Sequence, residues 1–125
     1  MGTSLWGEQP ISESKEKAPV AILRDQAAEV ARFSSGRLVG VVDTADTEGG
    51  LFEYDLKIRA PSLNNYTFLV LTVKHRLDYY PLQITSDTMK WAECNDESEF
   101  VKSVETILQS TRVRRALAAL RAQMK

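Results

Sequence analysis

Cysteine and histidine are nearly absent from this chain: Cys94 and His75 are the sole representatives of their types in 125 residues. One cysteine cannot close an internal disulfide, and one cysteine with one histidine cannot assemble a cysteine-rich zinc site. Long apolar runs are missing too, so no stretch is expected to span a bilayer. The start, Met1 to Glu8, lacks the basic region and apolar core of a signal peptide, and Trp6 stands where the myristoylation pattern wants Ser or Thr. These absences point to a cytoplasmic protein without a membrane role. Neither sign of charge dominates: the net charge is −1 and the pI about 5.9, which argues against a surface that as a whole seeks nucleic acid or anionic lipid. The glycines at Gly36, Gly40, Gly49 and Gly50 form neither phosphate-cradling signature.

What is present is ordinary for a folded domain. With 43% hydrophobic and 26% charged residues, a chain of this length has enough apolar material to build a core without staples. Two β-type runs organise it. In Leu51 to Ala60, Phe52, Tyr54, Leu56 and Ile58 alternate with Glu53, Asp55, Lys57 and Arg59, the period-two pattern of a strand with one wet face. After the turn cluster Pro61-Ser62-Leu63-Asn64-Asn65, the run Tyr66 to Val73 is apolar at both parities, which predicts a central strand covered on both faces.

Residues 1 to 17 mix polar residues without periodicity and are expected to form a mobile tail ahead of a single domain from 18 to 125. Pro19 suits a first helical turn, Val20, Leu23, Ala27, Val30 and Ala31 recur at helical spacing, and Gly36 is placed to cap the helix end. Arg37 to Val42 predicts a short strand, followed by a polar loop from Asp43 to Gly50. Tyr79 to Thr85 and Lys90 to Cys94 predict two more strands, with Pro81 confined to a strand start, an edge or a bulge. Asn95 or Asp96 with Glu99 marks a helix start, and Ser110-Thr111 breaks and recaps before a last helix. The fold class that follows is α+β: an N-terminal helix, a five-stranded antiparallel meander and two C-terminal helices packed on one face of the sheet. Phe68, Val70, Leu56, Ile58, Phe100, Val104, Leu108 and Leu117 are the predicted core.

Four features invite a chemical reading. Asp43, Asp46 and Glu48 gather hard oxygen ligands beside glycines, but in no EF-hand spacing, and the same residues make any exposed loop. His75, between Lys74 and Arg76, lacks the second imidazole or the Gly-x-Ser-x-Gly elbow that would give it a catalytic partner. Cys94 precedes a helix start, where a thiol can be acidified, yet buried free cysteines more commonly just pack. The last helix carries Arg112, Arg114, Arg115 and Arg121 with no acidic residue after Glu105, and an apolar stripe that includes Val113, Leu117 and Leu120. Arginines near a helix C-terminus also simply complement its dipole.

These observations favour a noncatalytic interaction domain that pairs with itself or with another protein. The expected contact residues are Arg112, Arg114, Arg115, Leu117, Leu120 and Arg121, and no catalytic residue, cofactor or metal is assigned. Two other classes compete: a nucleic-acid-associated protein using those arginines, and a small enzyme or ligand binder with a pocket between sheet and helices.

Overall fold

Helix α1 (Pro19–Phe33) starts at Pro19, whose missing N–H falls where a helix has no internal acceptor to offer. It ends where Ser35 and Gly36 turn left-handed, at φ 55° and 80°, and the Gly36 N–H closes on the Ala31 carbonyl at 2.8 Å. Ser34 ties this end to the next strand, donating to the Val30 carbonyl at 2.7 Å and accepting from the Leu38 N–H at 3.0 Å. The computed structural model describes residues 5, 7, 12–13, 15–46 and 49–124, with the side chain of Asp46 excepted. Most of the expected tail therefore lies outside the described residues.

Five strands follow in sequence order: β1 (Val39–Asp46), β2 (Phe52–Ala60), β3 (Tyr66–His75), β4 (Leu82–Ser86) and β5 (Met89–Cys94). Each pairs antiparallel with the next, and the spatial order is β1-β2-β3-β4-β5. A 3-10 turn at Pro61–Leu63, closed by left-handed Asn64 and Asn65, links β2 to β3. Pro81 immediately precedes β4, at the strand start that its lost N–H allows. Helices α2 (Glu97–Leu108) and α3 (Thr111–Gln123) complete the chain. Asp96 caps α2 by accepting from the Glu99 N–H at 2.8 Å, while the Glu99 carboxylate accepts from the Asn95 N–H at 2.9 Å. Ser110 caps α3 through the Val113 N–H at 3.3 Å.

The architecture is thus the expected α+β fold, with two corrections in its strands. First, β1 extends to Asp46, so the polar loop is shorter than 43 to 50 and Asp43 is a strand residue opposite Asp55. Second, β3 is central but not covered on both faces. Its register with β2 shifts between Leu56↔Leu71 and Lys57↔Leu69, which leaves Val70 without a partner. That bulge switches the inward parity: Phe68 and Val70 point to the core before it, Leu71, Val73 and His75 after it. The run is apolar at both parities because the strand changes its inward set halfway, while Leu69 stays 42% exposed on the outer face.

The inner face holds one hydrophobic core. Leu23, Leu38, Leu56, Leu71, Leu82, Ile84 and Phe100 are fully buried in it, and Leu108 and Leu117 pack at its margin. Helix α1 lies so close to β1 that a Cβ on Gly40 would stand 2.3 Å from the Ala27 carbonyl oxygen. β4 pairs with β3 only from Thr72 to His75, because the β4–β5 hairpin turns at Asp87-Thr88. Tyr66 to Leu71 have β2 on one side and, among the described residues, no strand on the other.

Candidate functional site

Strand alternation and the registers assign each side chain to a face. The outer face carries Val39, Val41, Asp43 and Ala45 on β1; Glu53, Asp55, Lys57 and Arg59 on β2; Leu69, Thr72 and Lys74 on β3; and Trp91 and Glu93 on β5. Helices α1, α2 and α3 pack on the opposite face, against the buried set. The outer face is polarised along the strands. Arg59 and Lys57 lie toward one end beside Val39, Val41 and Leu69, and Asp55, Glu53 and Asp43 lie toward the other.

Local pairs partly offset this gradient, and Lys74 adds a base at the acidic end, beside Glu53. Lys57 Nζ is 3.0 Å from Asp43 Oδ2, and that hydrogen bond holds the ammonium above its usual pKa. Lys74 Nζ is 3.4 Å from Glu53 Oε1 and 4.8 Å from the centre of the Trp91 ring, a cation–π contact. Thr72 Oγ1 donates to Asp55 Oδ1 at 2.7 Å.

The C-terminal helix is placed differently from what its stripe suggests. Val113 and Leu120 are buried within the chain's own core and Leu117 is half-buried. Arg112 Nε donates to Asp87 Oδ2 at 3.3 Å and its guanidinium lies 5.2 Å from the Phe68 ring centre. Arg114 Nε donates to the Gln109 carbonyl at 3.3 Å, and Arg115 and Arg121 are exposed. Between α3 and the start of β3 a cavity of about 320 Å³ opens, lined by Leu63, Tyr66, Phe68, Arg112, Ala116 and Leu120, among others. The acidic residues Asp96, Glu97 and Glu99 are engaged locally, two in the α2 cap and Glu97 by the Lys17 backbone N–H at 3.0 Å.

The other candidates are not gathered into one site. Asp43 faces Lys57, while the side chains of Asp46 and Glu48 lie outside the described residues; among those described, no cluster of His, Cys, Asp and Glu could hold a metal ion. Cys94 is buried with its Sγ 3.5 Å from Ser103 Oγ, and burial pushes the thiol pKa up, the opposite of activation. His75 is the last residue of β3 and is buried there, stacked on Phe52 and Tyr54 at 5.4 and 5.7 Å, with the Tyr79 ring edge-on at 5.7 Å. Its Nδ1 sits 2.6 Å from the Arg76 carbonyl, so that nitrogen donates, and its Nε2 is buried with no hydrogen-bond partner among the described residues. The Tyr80 hydroxyl is likewise buried and unpartnered, and burial, then the Glu97 and Glu16 carboxylates, push its ionisation upward.

The alternation of β2 predicts the strand alone; the signal for the outer face is the order of its outward charges, acid, acid, base, base from Glu53 to Arg59, which the sequence carries by itself. The chain matches no protein-family profile, no curated protein and no solved structure.

Proposed function

We propose that this chain is a noncatalytic protein-interaction domain that self-associates through the outer face of its sheet. The observation that carries this reading is the row Glu53-Asp55-Lys57-Arg59 on the face that no helix covers among the described residues, because it is complementary to its own reverse. A two-fold axis lying along the face, perpendicular to the strands and crossing β2 at Leu56, would set Lys57 against Asp55 of the second copy and Arg59 against its Glu53. The same axis brings each Leu69 toward the second copy's Thr72. An axis parallel to the strands would instead stack bases on bases and acids on acids, which is repulsive. Such a contact is isologous, as closed dimers require.

Area sets its strength. Under this axis β4 and β5, which flank β3 only from Thr72 to His75, lie over the second copy's notch, so the facing area is that of β1 to β3. Three strands at about 4.8 Å spacing and the nine residues of β2 give roughly 14 by 30 Å, or about 900 Å² over both copies, in the range of weak, transient contacts. A weak, salt-sensitive dimer follows. Compared with the α3 stripe, whose Val113 and Leu120 are buried in the chain's own core, this face leaves Leu69 and Trp91 exposed, and its internal ion pairs are partly exposed. A cytoplasmic setting suits the single buried thiol.

Sedimentation velocity across a concentration series tests the proposal. The wild-type chain should dimerise in the micromolar range, and Leu69→Glu should shift it to monomer without changing its circular dichroism. A wild-type chain that stays monomeric at several hundred micromolar would overturn the reading.

A further inference from the structure

We infer that the free edge of β3, Tyr66 to Leu71, together with the cavity under α3, is a docking site for an extended peptide that adds as a strand beside β3 and inserts an apolar side chain into that cavity. The edge is unusual in position. β3 is the middle strand of the sheet, yet along this stretch its backbone groups on the β4 side have no strand partner among the described residues. Edges of this kind are what strand addition uses, and β1 and β5 also end the sheet. What distinguishes β3 is that cavities flank its edge. On the inner side lies the 320 Å³ space between Tyr66, Phe68 and α3. In the plane of the sheet, where β4 would continue, a further 160 Å³ opens between Leu69–Thr72 and Thr85–Asp87. Strand addition draws affinity from main-chain hydrogen bonds and specificity from pockets for alternate side chains, and both requirements meet here.

The residues around the notch define the occupant's chemistry. The inner cavity is walled by Leu63, Tyr66, Phe68, Ala116 and Leu120, so the inserted side chain is a large aliphatic or an aromatic one. Arg112 stands at its wall and Arg115, exposed, lies one turn further along α3. Asp87 is the carboxylate that Arg112 now holds, at 3.3 Å. A carboxylate on the incoming strand would take up or share that guanidinium, whose bidentate fork suits two acceptors. The fitting partner is therefore a segment of about five or six residues with an apolar residue and an acidic one placed to flank Arg112, in keeping with the length of the free edge.

The test uses the full chain and a phage-displayed library of random dodecapeptides. Selected peptides should share the acidic-plus-apolar pattern, bind in the micromolar range, and shift the amide resonances of Tyr66 to Leu71 in a two-dimensional NMR titration. Ala119→Trp, at an exposed position lining the cavity, should weaken their binding at least about ten-fold, the loss expected when an anchor pocket is blocked. It should leave the thermal midpoint unchanged. Arg112→Glu should weaken the same peptides and regain affinity for versions carrying Lys in place of the acidic residue. No enrichment, shifts confined to β1, β5 or the outer face, or binding indifferent to Ala119→Trp would each overturn the proposal. So would a 12-base-pair DNA duplex that competes for Arg112 and Arg115 more strongly than any selected peptide.

Discussion

The two faces of the sheet are built from the same five strands and follow opposite rules. On the inner face most positions are apolar, and Leu71, Val73, Leu82 and Ile84 there are fully buried, while Thr44 and Phe52 at its rim stay exposed. On the outer face charges alternate with isolated apolar residues, and Leu69 and Trp91 remain 42% and 46% exposed. Burial of apolar area stabilises the first face, and that term does not depend on ionic screening or on charge order. The second face contributes little to the stability of one copy, since exposed ion pairs are worth under about 1 kcal/mol each. Its ordered charges are better explained by what they can meet than by what they hold together.

Leu69 and Leu71 break this comparison most sharply, because the bulge at Val70 puts two leucines of one strand on opposite faces. Leu71→Ala should destabilise the fold by about 2–5 kcal/mol in urea denaturation, as for a fully buried leucine. Leu69→Ala should cost under about 1 kcal/mol in the same experiment and act on self-association instead. Equal losses at the two sites would mean that the faces are not distinguished as described.

Gly40→Ala ranks next. Its new methyl group would meet the backbone of α1 at Ala27, not a yielding side-chain tip, so α1 must move off β1 at a cost of about 1–3 kcal/mol. An unchanged thermal midpoint would place the helix farther from the sheet. Asp96→Ala, on neither face, removes the α2 cap and should cost about 1 kcal/mol, with Asn in its place restoring most of it.

The inner face also predicts a dependence on pH. The folded pKa values of Cys94 and Tyr80 lie above their ordinary 9.0 and 10.0. Below those ordinary values both groups are protonated folded or unfolded, and their contribution is fully present. As pH rises past 9, the unfolded chain releases protons that the folded chain retains, so stability falls. Urea midpoints should hold steady with respect to these groups between pH 7 and 8.5 and decline above 9, less steeply in Cys94→Ala. Midpoints rising over that range would contradict the burial of both groups.

How much of this was legible in the sequence divides along the same line. Element order, both helix caps around Asp96 and Ser110, the break between α2 and α3, and most of the core follow from periodicity and local hydrogen-bond chemistry, which are short-range. The coverage of β3 did not follow, since a bulge and a doubly buried strand produce the same apolar run and only the register with β2 separates them. The aromatic surroundings of His75 depend on Phe52 and Tyr54 arriving from another strand, a long-range pairing that composition does not encode. The stripe on α3 was visible, but whether its partner is the chain's own core is decided by how α3 lies over β3. Val113 and Leu120 are buried there already.

The most direct test of the self-complementary outer face uses two charge-reversed variants. One carries Lys57→Glu and Arg59→Glu, making the row wholly acidic, and the other Glu53→Lys and Asp55→Lys, making it wholly basic. Each should sediment as a monomer alone, with circular dichroism unchanged, and an equimolar mixture should form a one-to-one heterodimer at least as tight as the wild-type dimer and weakened by salt. Variants that dimerise alone as the wild type does, or a mixture that stays monomeric, would contradict the antiparallel face-to-face arrangement.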